Sequence, residues 1–86
     1  MVEQTEKGPE DDRRIRILID DKPYFAPQED MTGEALKQLA QPPIPANYDL
    51  FEEVPGPEED PLIRNDQVVH LRSGMKFYAL PPGNVG

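Results

Sequence analysis

The chain has 86 residues, a mass of 9.7 kDa and a formal net charge of −8, from 17 acidic and nine basic side chains. A chain of this length has room for one small hydrophobic core, which excludes a large multi-layer enzyme. It contains no cysteine, which excludes disulfide frameworks, thiolate zinc sites, iron–sulfur clusters and a catalytic thiol.

The acidic charge also limits the classes of partner. It repels a phosphate backbone and an anionic membrane surface, so we expect no nucleic-acid partner and no membrane partner. No apolar run approaches the roughly 18 residues of a membrane-spanning helix. The first twelve residues lack the basic start and apolar stretch of a signal peptide. The sequence therefore predicts a cytoplasmic protein.

Composition divides the chain into three parts. Residues 1–12 hold five acidic side chains and one apolar residue after the initiator, so we expect a disordered acidic tail. Residues 13–80 contain nearly all of the apolar side chains and are predicted to form the folded domain. Residues 81–86 begin with two prolines and are predicted to form a flexible C-terminal tail.

The folded domain begins with a predicted hairpin. Residues 14–19 alternate at period two, which predicts a strand with Leu18 on one face. The opposite face of that strand carries three isoleucines: Ile15, Ile17 and Ile19. Residues 20–22 have the composition of a turn, and residues 23–26 predict a second, short strand. Prolines on both sides of the second strand favour a position at the edge of the sheet.

One window of the chain has helical periodicity. Residues 30–40 predict a helix of at most three turns, with Thr32 as its N-cap and Glu34 placed favourably in the first turn. The prolines at 42–43 end this helix. In the irregular connection that follows, Ile44 is apolar enough to fill the core beside the helix.

The second half of the chain predicts further strands. These are residues 48–52, residues 67–71 and an optional last strand at 76–80, with an acidic loop at 53–60 and a small apolar anchor at 62–63. The first strand and 67–71 are the most apolar, so we expect them in the middle of a mixed sheet with the helix packed across one face. The predicted fold class is therefore α+β, a β-grasp with four to five strands.

Several segments occur in an order that is typical of one family. They are residues 15–20 leading into Asp21-Lys22-Pro23-Tyr24, then Met31-Thr32-Gly33 with Leu36, Tyr48-Asp49-Leu50-Phe51, Val54-Pro55-Gly56, Ile63, Asp66-Gln67-Val68 and Phe77. In this order they resemble the ubiquitin-like proteins, most closely the bacterial group with multiple ubiquitin-like domains. Ile44-Pro45 and Val69-His70-Leu71 also resemble stretches of ubiquitin itself. The resemblance implies a ubiquitin-like β-grasp over residues 13–80.

Gly86 is the candidate conjugation residue. An activating enzyme adenylates a carboxylate that reaches it through a narrow channel, and glycine offers no side chain to obstruct that passage. Residues 81–83 would hold the tail away from the domain. Modifiers of this family usually finish in two glycines, whereas here Val85 precedes Gly86. The plain alternative is a glycine that stands at this position by chance.

The resemblance also implies partners. They are a ubiquitin-activating-like enzyme, a ubiquitin-conjugating-like enzyme and a metal-dependent deconjugating peptidase, in a bacterial pathway related to antiphage defence. All catalysis would then lie in these partners, so this chain is not an enzyme and needs no cofactor. One alternative is a non-covalent β-grasp scaffold or homo-oligomer that pairs through the edge strand 24–26. Another is a sulfur carrier in which the carboxylate of Gly86 becomes a thiocarboxylate.

Alternation along the strands predicts a second candidate site on the sheet face opposite the helix. Four residues are expected there as partner-binding side chains: Leu18, Phe51, Val68 and His70. An exposed apolar cluster on a small acidic protein indicates a protein partner. The alternatives are that the N-terminal tail or the loop after Phe51 covers this face, or that a strand register differs by one residue.

The remaining polar residues give no catalytic or metal site. His70 is the single histidine, and a metal site or general base would need further ligands or a nucleophile that the chain lacks. The adjacent acidic pairs lack the spacing of a calcium loop, so we interpret them as solvated surface charge.

Overall fold

The computed structural model describes residues 15–83, which form a five-stranded sheet, a two-stranded sheet and one helix. The elements are β1 (Ile15–Ile19), β2 (Lys22–Ala26), β3 (Asp30–Thr32), α1 (Gly33–Leu39), β4 (Asp49–Glu53), β5 (Leu62–Ile63), β6 (Val68–His70) and β7 (Lys76–Leu80). The predicted tail at 1–12 lies outside the described residues, as do positions 84–86.

The main sheet has the strand order β2-β1-β7-β4-β5. β1 and β7 are parallel, whereas the other neighbouring strands are antiparallel. A mixed five-stranded sheet with one helix confirms the predicted α+β, β-grasp architecture. The position of β2 at the edge is also confirmed.

Two aspartates form the turn of the β1–β2 hairpin. Ile19 pairs with Lys22, which leaves Asp20 and Asp21 as the loop, and their φ angles are 53° and 67°. Two positive φ angles match the right-handed twist of the flanking strands, and aspartate tolerates this conformation better than most residues. The Asp20 carboxylate accepts a hydrogen bond from the Ala79 backbone N–H at 3.1 Å, which fixes the turn to the central strand β7.

The central position predicted for residues 67–71 is wrong. β6 leaves the main sheet and pairs antiparallel with β3, and β7 takes the place beside β1. The cause is the turn before β6, which bonds to the start of the helix: the backbone N–H of Glu34 donates to the Asn65 carbonyl at 3.1 Å. This contact places β6 alongside β3, the segment immediately before the helix.

The helix has seven residues, within the predicted limit of three turns. The first three residues of the predicted helical window form β3. Thr32 is the N-cap, as predicted, and its hydroxyl accepts a hydrogen bond from the Ala35 N–H at 3.1 Å. Ile44 packs against the core after the helix, and its N–H donates to the Lys37 carbonyl at 2.9 Å.

The first residue of the helix, Gly33, packs against the backbone of Arg64. A Cβ built on Gly33 would stand 2.2 Å from the Arg64 carbonyl oxygen, so the backbone approach requires glycine. The Gly33 N–H donates to the Gln67 carbonyl at 3.1 Å. The 64–67 turn therefore satisfies N–H groups that a helix start cannot bond internally.

The hydrophobic core lies between the helix and the main sheet, and the two-stranded sheet contributes Met31 and Val69 to it. Its buried members are Ile17, Ile19, Met31, Leu36, Ala40, Leu50, Ile63, Val69, Leu71 and Phe77. Ile17 and Ile19, which were predicted on the inner face, are both buried. Ile15 is partly buried and packs against the same cluster.

One charged side chain lies within this packed region. Lys37 is 2% exposed, and its ammonium donates to the Ala46 carbonyl at 2.9 Å, to the Asn65 Oδ1 at 2.7 Å and to the Tyr48 carbonyl. Removal from water lowers the pKa of Lys37 below its ordinary value, against the opposing charges of Asp49 and Glu34. Three acceptors for three N–H groups leave no donor unsatisfied and join the helix to two loops.

The first prediction concerns the close approach at Gly33. In an ordinary helix, glycine to alanine is neutral or stabilising, but here the added Cβ meets the Arg64 carbonyl. We expect Gly33→Ala to lower the free energy of unfolding by about 2–4 kcal/mol, measured by urea denaturation. Gln38→Ala, on the exposed side of the same helix, is the control, with a change within about 0.5 kcal/mol. Equal stability of the two variants would contradict the contact.

The second prediction concerns the buried ammonium. Lys37→Met keeps the length of the side chain but removes the donor of three hydrogen bonds. The Ala46 carbonyl keeps its bond from the Asn65 amide, whereas the Tyr48 carbonyl and the Asn65 Oδ1 lose the ammonium. We expect a loss of about 2–3 kcal/mol in the free energy of unfolding. Lys22→Met removes the same charge from an exposed strand position, and we expect it to stay within about 0.5 kcal/mol of the parent. A loss no larger than that of the control would show that the hydrogen bonds contribute nothing.

Candidate functional site

The face of the main sheet that points away from α1 carries a group of apolar and aromatic side chains. Because Leu50, Ile63 and Phe77 are buried, strand alternation directs their neighbours outward. We define the outer-face strip as Tyr78 and Leu80 of β7, Phe51 of β4 and Leu62 of β5. Phe51 pairs in register with both Tyr78 and Leu62, so three strands contribute neighbouring side chains. Leu62 is 47% exposed and Leu80 is 37% exposed.

An aromatic stack lies at the centre of the strip. The rings of Phe51 and Tyr78 have their centroids 5.3 Å apart and an interplanar angle of 16°. Offset stacking of this kind adds to the stability that comes from burying the ring areas. The stack therefore holds β4 and β7 together on the side opposite the core.

Asp60 fixes the loop between β4 and β5 to this stack. Its Oδ2 accepts a hydrogen bond from the Tyr78 hydroxyl at 2.8 Å, and its Oδ1 accepts one from the Val54 N–H at 3.0 Å. One carboxylate thus joins the first part of the loop to its last part and to the central strand. The acidic loop predicted at 53–60 spans residues 54–61 in the structure, because Glu53 is the last residue of β4 and β5 begins at Leu62. Three of its eight positions are acidic.

The same hydrogen bonds shift two pKa values in opposite directions. The Val54 N–H, followed by the Tyr78 hydroxyl, stabilises the carboxylate and lowers the pKa of Asp60 below its ordinary value. The bond to Asp60 raises the pKa of the Tyr78 hydroxyl, and desolvation and the charges of Asp60 and Glu53 raise it further. At neutral pH the two groups therefore form a charge-assisted hydrogen bond.

The structure brings together two of the four predicted partner-binding residues. Leu18 and Phe51 lie on the outer face of the main sheet, with β7 between their strands. Their placement beside Val68 and His70 is wrong, because β6 belongs to the two-stranded sheet. Val68 is 62% exposed there, so it is available to a partner on a separate surface.

His70 lies beside the carboxylate of Asp30. Its Nδ1 lies 2.8 Å from the Asp30 Oδ1, and the two side chains are 61% and 64% exposed. Across residues 15–83, no group of three or more histidine, cysteine, aspartate or glutamate side chains is arranged to hold a metal ion. The pair is a solvated surface interaction with little effect on stability.

The comparison with known families agrees with this geometry. A family model described as Multiubiquitin matches residues 15–82, which is most of the chain. The chain belongs to the Multiubiquitin family. This confirms the resemblance found in the sequence, and the mixed sheet with one helix is the ubiquitin-like β-grasp arrangement. No curated protein and no solved structure matches the chain.

The candidate conjugation residue of this Multiubiquitin domain, Gly86, lies outside the described residues. The described part of the predicted tail, Pro81–Gly83, is exposed and follows directly after β7. Among the described residues, no helix has the length and hydropathy needed to cross a membrane.

Tyr78, Leu62 and Asp60 were not among the site residues predicted from the sequence. The alternation of β7 could have placed Tyr78 outward once Phe77 was assigned to the core, since neighbouring strand residues face opposite sides. In the same way, assigning Ile63 to the core places Leu62 on the outer face. No sequence pattern distinguishes Asp60 from the other acidic residues of its loop, because its role depends on a tyrosine 18 positions away.

The third prediction concerns the hydrogen bond between Asp60 and Tyr78. Because the pKa of Tyr78 is higher in the folded state, this bond contributes its full stability below pH about 10 and loses it as pH rises through the folded-state value. Because the pKa of Asp60 is lower in the folded state, the carboxylate contributes above pH about 4 and loses its contribution as pH falls through the folded-state value.

We therefore expect Asp60→Asn to return the pKa of Tyr78 towards its ordinary value, observed as an earlier tyrosinate absorbance change in an alkaline titration. Glu59→Gln removes one charge from the same loop but leaves the bond in place, so its titration should match that of the parent. Identical titrations for Asp60→Asn and the parent would show that the bond is absent in solution.

Proposed function

We propose that this Multiubiquitin domain is a ubiquitin-like protein modifier, joined to its targets through the carboxyl group of Gly86. The family match over residues 15–82 carries the proposal. The exposure of Pro81–Gly83 beyond the last strand supports it, because a tail must leave the domain to enter another protein's active site. Gly86 itself has no Cβ to obstruct the approach of a nucleophile.

The chemistry requires one displacement at phosphorus and then three at the carboxyl carbon of Gly86. The Gly86 carboxylate attacks the α-phosphate of ATP, which releases pyrophosphate and leaves an acyl adenylate. An enzyme nucleophile then displaces AMP to give an acyl-enzyme, and after transfer between enzymes an amine of the target displaces the enzyme and forms an amide. This chain supplies the carboxylate, while its partners supply the nucleophiles and bases. It is therefore a substrate in this scheme, not an enzyme.

The proposed partners are a ubiquitin-activating-like enzyme, a ubiquitin-conjugating-like enzyme and a metal-dependent deconjugating peptidase. Kinship with the family supports these assignments. On the same ground we propose a cytoplasmic setting and a role in bacterial antiphage defence. The outer-face strip is the surface that we assign to recognition of these enzymes, because its exposed leucines suit a protein contact.

A second candidate function is a non-covalent β-grasp scaffold that assembles with other copies. The edge position of β2 favours it, because an edge strand is the part of a sheet that pairs with another chain. In that case, conjugation through the tail is irrelevant to the activity.

The fourth prediction tests the modifier hypothesis by the length of the remnant on the target. Trypsin cuts after Lys76, so a target lysine joined to Gly86 would keep residues 77–86 as a branch detectable by mass spectrometry. The full chain is incubated with ATP and the activating and conjugating enzymes of a Multiubiquitin operon. We expect the branch with the parent chain and none after deletion of Gly86.

Asn84→Ala is the matched control, because it changes the same tail but keeps the final glycine. Adducts that survive deletion of Gly86 would contradict its role. A branch that ends at Gly83 would move the joining residue to that glycine, after removal of the last three residues. Absence of any adduct, with self-association on size-exclusion chromatography, would favour the scaffold.

A further inference from the structure

A pocket of about 250 Å³ opens on the helix side of the main sheet, at the end where β7 stops. Tyr24, in its wall, lies opposite the buried Ile17 in the β1–β2 register, which places the tyrosine ring on the helix side. We define the tyrosine pocket by its apolar lining, which is Tyr24, Pro43, Ile44, Pro45 and Tyr48. An apolar cavity of about 150 Å³ holds a benzene molecule, so this pocket has room for a branched aliphatic side chain.

Hydrogen bonds hold the walls of the tyrosine pocket in place. The Tyr24 hydroxyl accepts a hydrogen bond from the Gln41 N–H at 3.0 Å. The Tyr48 N–H donates to the Pro45 carbonyl at 3.0 Å, and the Tyr48 carbonyl accepts from the Lys37 ammonium. Because the walls are fixed before anything enters, little conformational entropy is lost from them when a side chain binds.

The charges around the tyrosine pocket favour an uncharged occupant. Asp20 and Lys22 line it, Asp21 lies between them in the turn, and Asp49 directly follows Tyr48. The Asp20 carboxylate accepts its hydrogen bond from the end of β7, and the Lys37 ammonium is buried on its three oxygen acceptors. Three exposed carboxylates beside one exposed ammonium disfavour an acidic group, whereas an apolar side chain gains burial against the tyrosines and prolines.

The C-terminal tail begins beside this pocket. Leu80 lies opposite Asp49, the neighbour of Tyr48, and the Ala79 N–H donates to the Asp20 carboxylate. Two lining residues of the pocket, Asp20 and Tyr48, are therefore next to the point where the chain leaves β7.

The tail then turns. Pro82 and Gly83 form a turn, and the φ angle of Gly83 is 74°. Proline followed by glycine with a positive φ is the signature of a type II turn, which reverses the chain within four residues. The chain beyond Gly83 is thus directed back towards the end of the domain from which the tail emerged.

Residues 84–86 lie outside the described residues, and their sequence is Asn-Val-Gly. Val85 is the one branched aliphatic side chain after Leu80, and two residues of chain reach about 7 Å beyond Gly83. A segment tethered next to a pocket has an effective concentration in the millimolar range, which exceeds that of a free partner at ordinary concentration. The tail of the same chain is therefore the favoured occupant.

We propose that residues 84–86 fold back across the Pro82–Gly83 turn and place the side chain of Val85 in the tyrosine pocket. Valine at this position, where modifiers of the family usually have glycine, then has a physical role as the anchor of the tail. The regulatory consequence rests on the proposed function: a docked tail is withheld from the activating enzyme until it is released. The contact itself is non-covalent and needs no enzyme.

The fifth prediction tests the contact by NMR on the full, isotopically labelled chain. We expect nuclear Overhauser cross-peaks between the Val85 methyl groups and the ring protons of Tyr24 and Tyr48. Val85→Ser should move the amide signals of the pocket residues to the positions they have in a chain that ends at Pro82. Asn84→Ala, which changes the neighbouring tail residue, is the control and should leave those signals where they are in the parent.

Two substitutions of Gly83 test the turn separately from the anchor. A Cβ at Gly83 has nothing within 4 Å, so only the backbone conformation distinguishes the variants. Asparagine tolerates a positive φ, so Gly83→Asn should keep the cross-peaks. Valine tolerates it poorly, so Gly83→Val should shift the equilibrium towards the undocked tail about fivefold or more.

Pro43→Glu and Pro57→Glu form the matched pair for the regulatory consequence. Both replace an exposed proline by an acid, but only Pro43 lines the tyrosine pocket. With the activating enzyme limiting, we expect Pro43→Glu to raise the initial rate of adduct formation about three- to tenfold, because a larger fraction of the tails is available. Pro57→Glu should leave the rate unchanged.

Several results would overturn the proposal. Absence of the cross-peaks in the parent is one, and equal behaviour of Gly83→Asn and Gly83→Val is another. Cross-peaks from Val85 to Phe51 or Leu80 would move the tail to the outer-face strip, and cross-peaks that vanish on dilution would identify the tail of a second copy. Equal rates for the two glutamate variants would remove the regulatory consequence. If no chain forms an adduct while the cross-peaks are present, the proposed function fails and the contact stands.

Discussion

The contact between the helix start and the 64–67 turn determines the arrangement of the later strands. Gly33 lies against the Arg64 carbonyl, and the turn's carbonyls accept hydrogen bonds from the first N–H groups of the helix. One turn further along, Lys37 reaches Asn65 of the same turn. Since β6 leaves this turn, it must run beside β3 and cannot enter the main sheet. β7 is then the strand that fills the space between β1 and β4.

The sequence predicted the elements better than their pairing. Period-two alternation identified β1 and its buried face, and Thr32 marked the helix start, because both signals are local. Residues 67–71 have a strong strand composition, but composition does not state which neighbour a strand pairs with. Their partner, β3, has three residues inside a helical window, and so the pattern did not separate it from the helix.

The polar contacts were least accessible to prediction. Gly33, Leu36, Lys37 and Ala40 follow the i, i+3, i+4, i+7 spacing of an inward helix face, so the burial of Lys37 could have been inferred from its neighbours. Its acceptors are two backbone carbonyls and one side chain on distant loops, which no local pattern encodes. Asp60 is a similar case, because one carboxylate among many acquires its role from the position of Tyr78.

The central position of β7 also connects the outer-face strip with the tail. Tyr78 and Leu80 belong to the strip, and Leu80 is the last residue of the strand that continues into Pro81–Gly83. The six residues that follow Leu80 in the sequence span at most about 20 Å when fully extended. An enzyme docked on the strip must therefore place its reactive group within that distance of Leu80. Under the proposed function, recognition and chemistry occupy adjoining surfaces of one enzyme, and the length of the tail sets their separation.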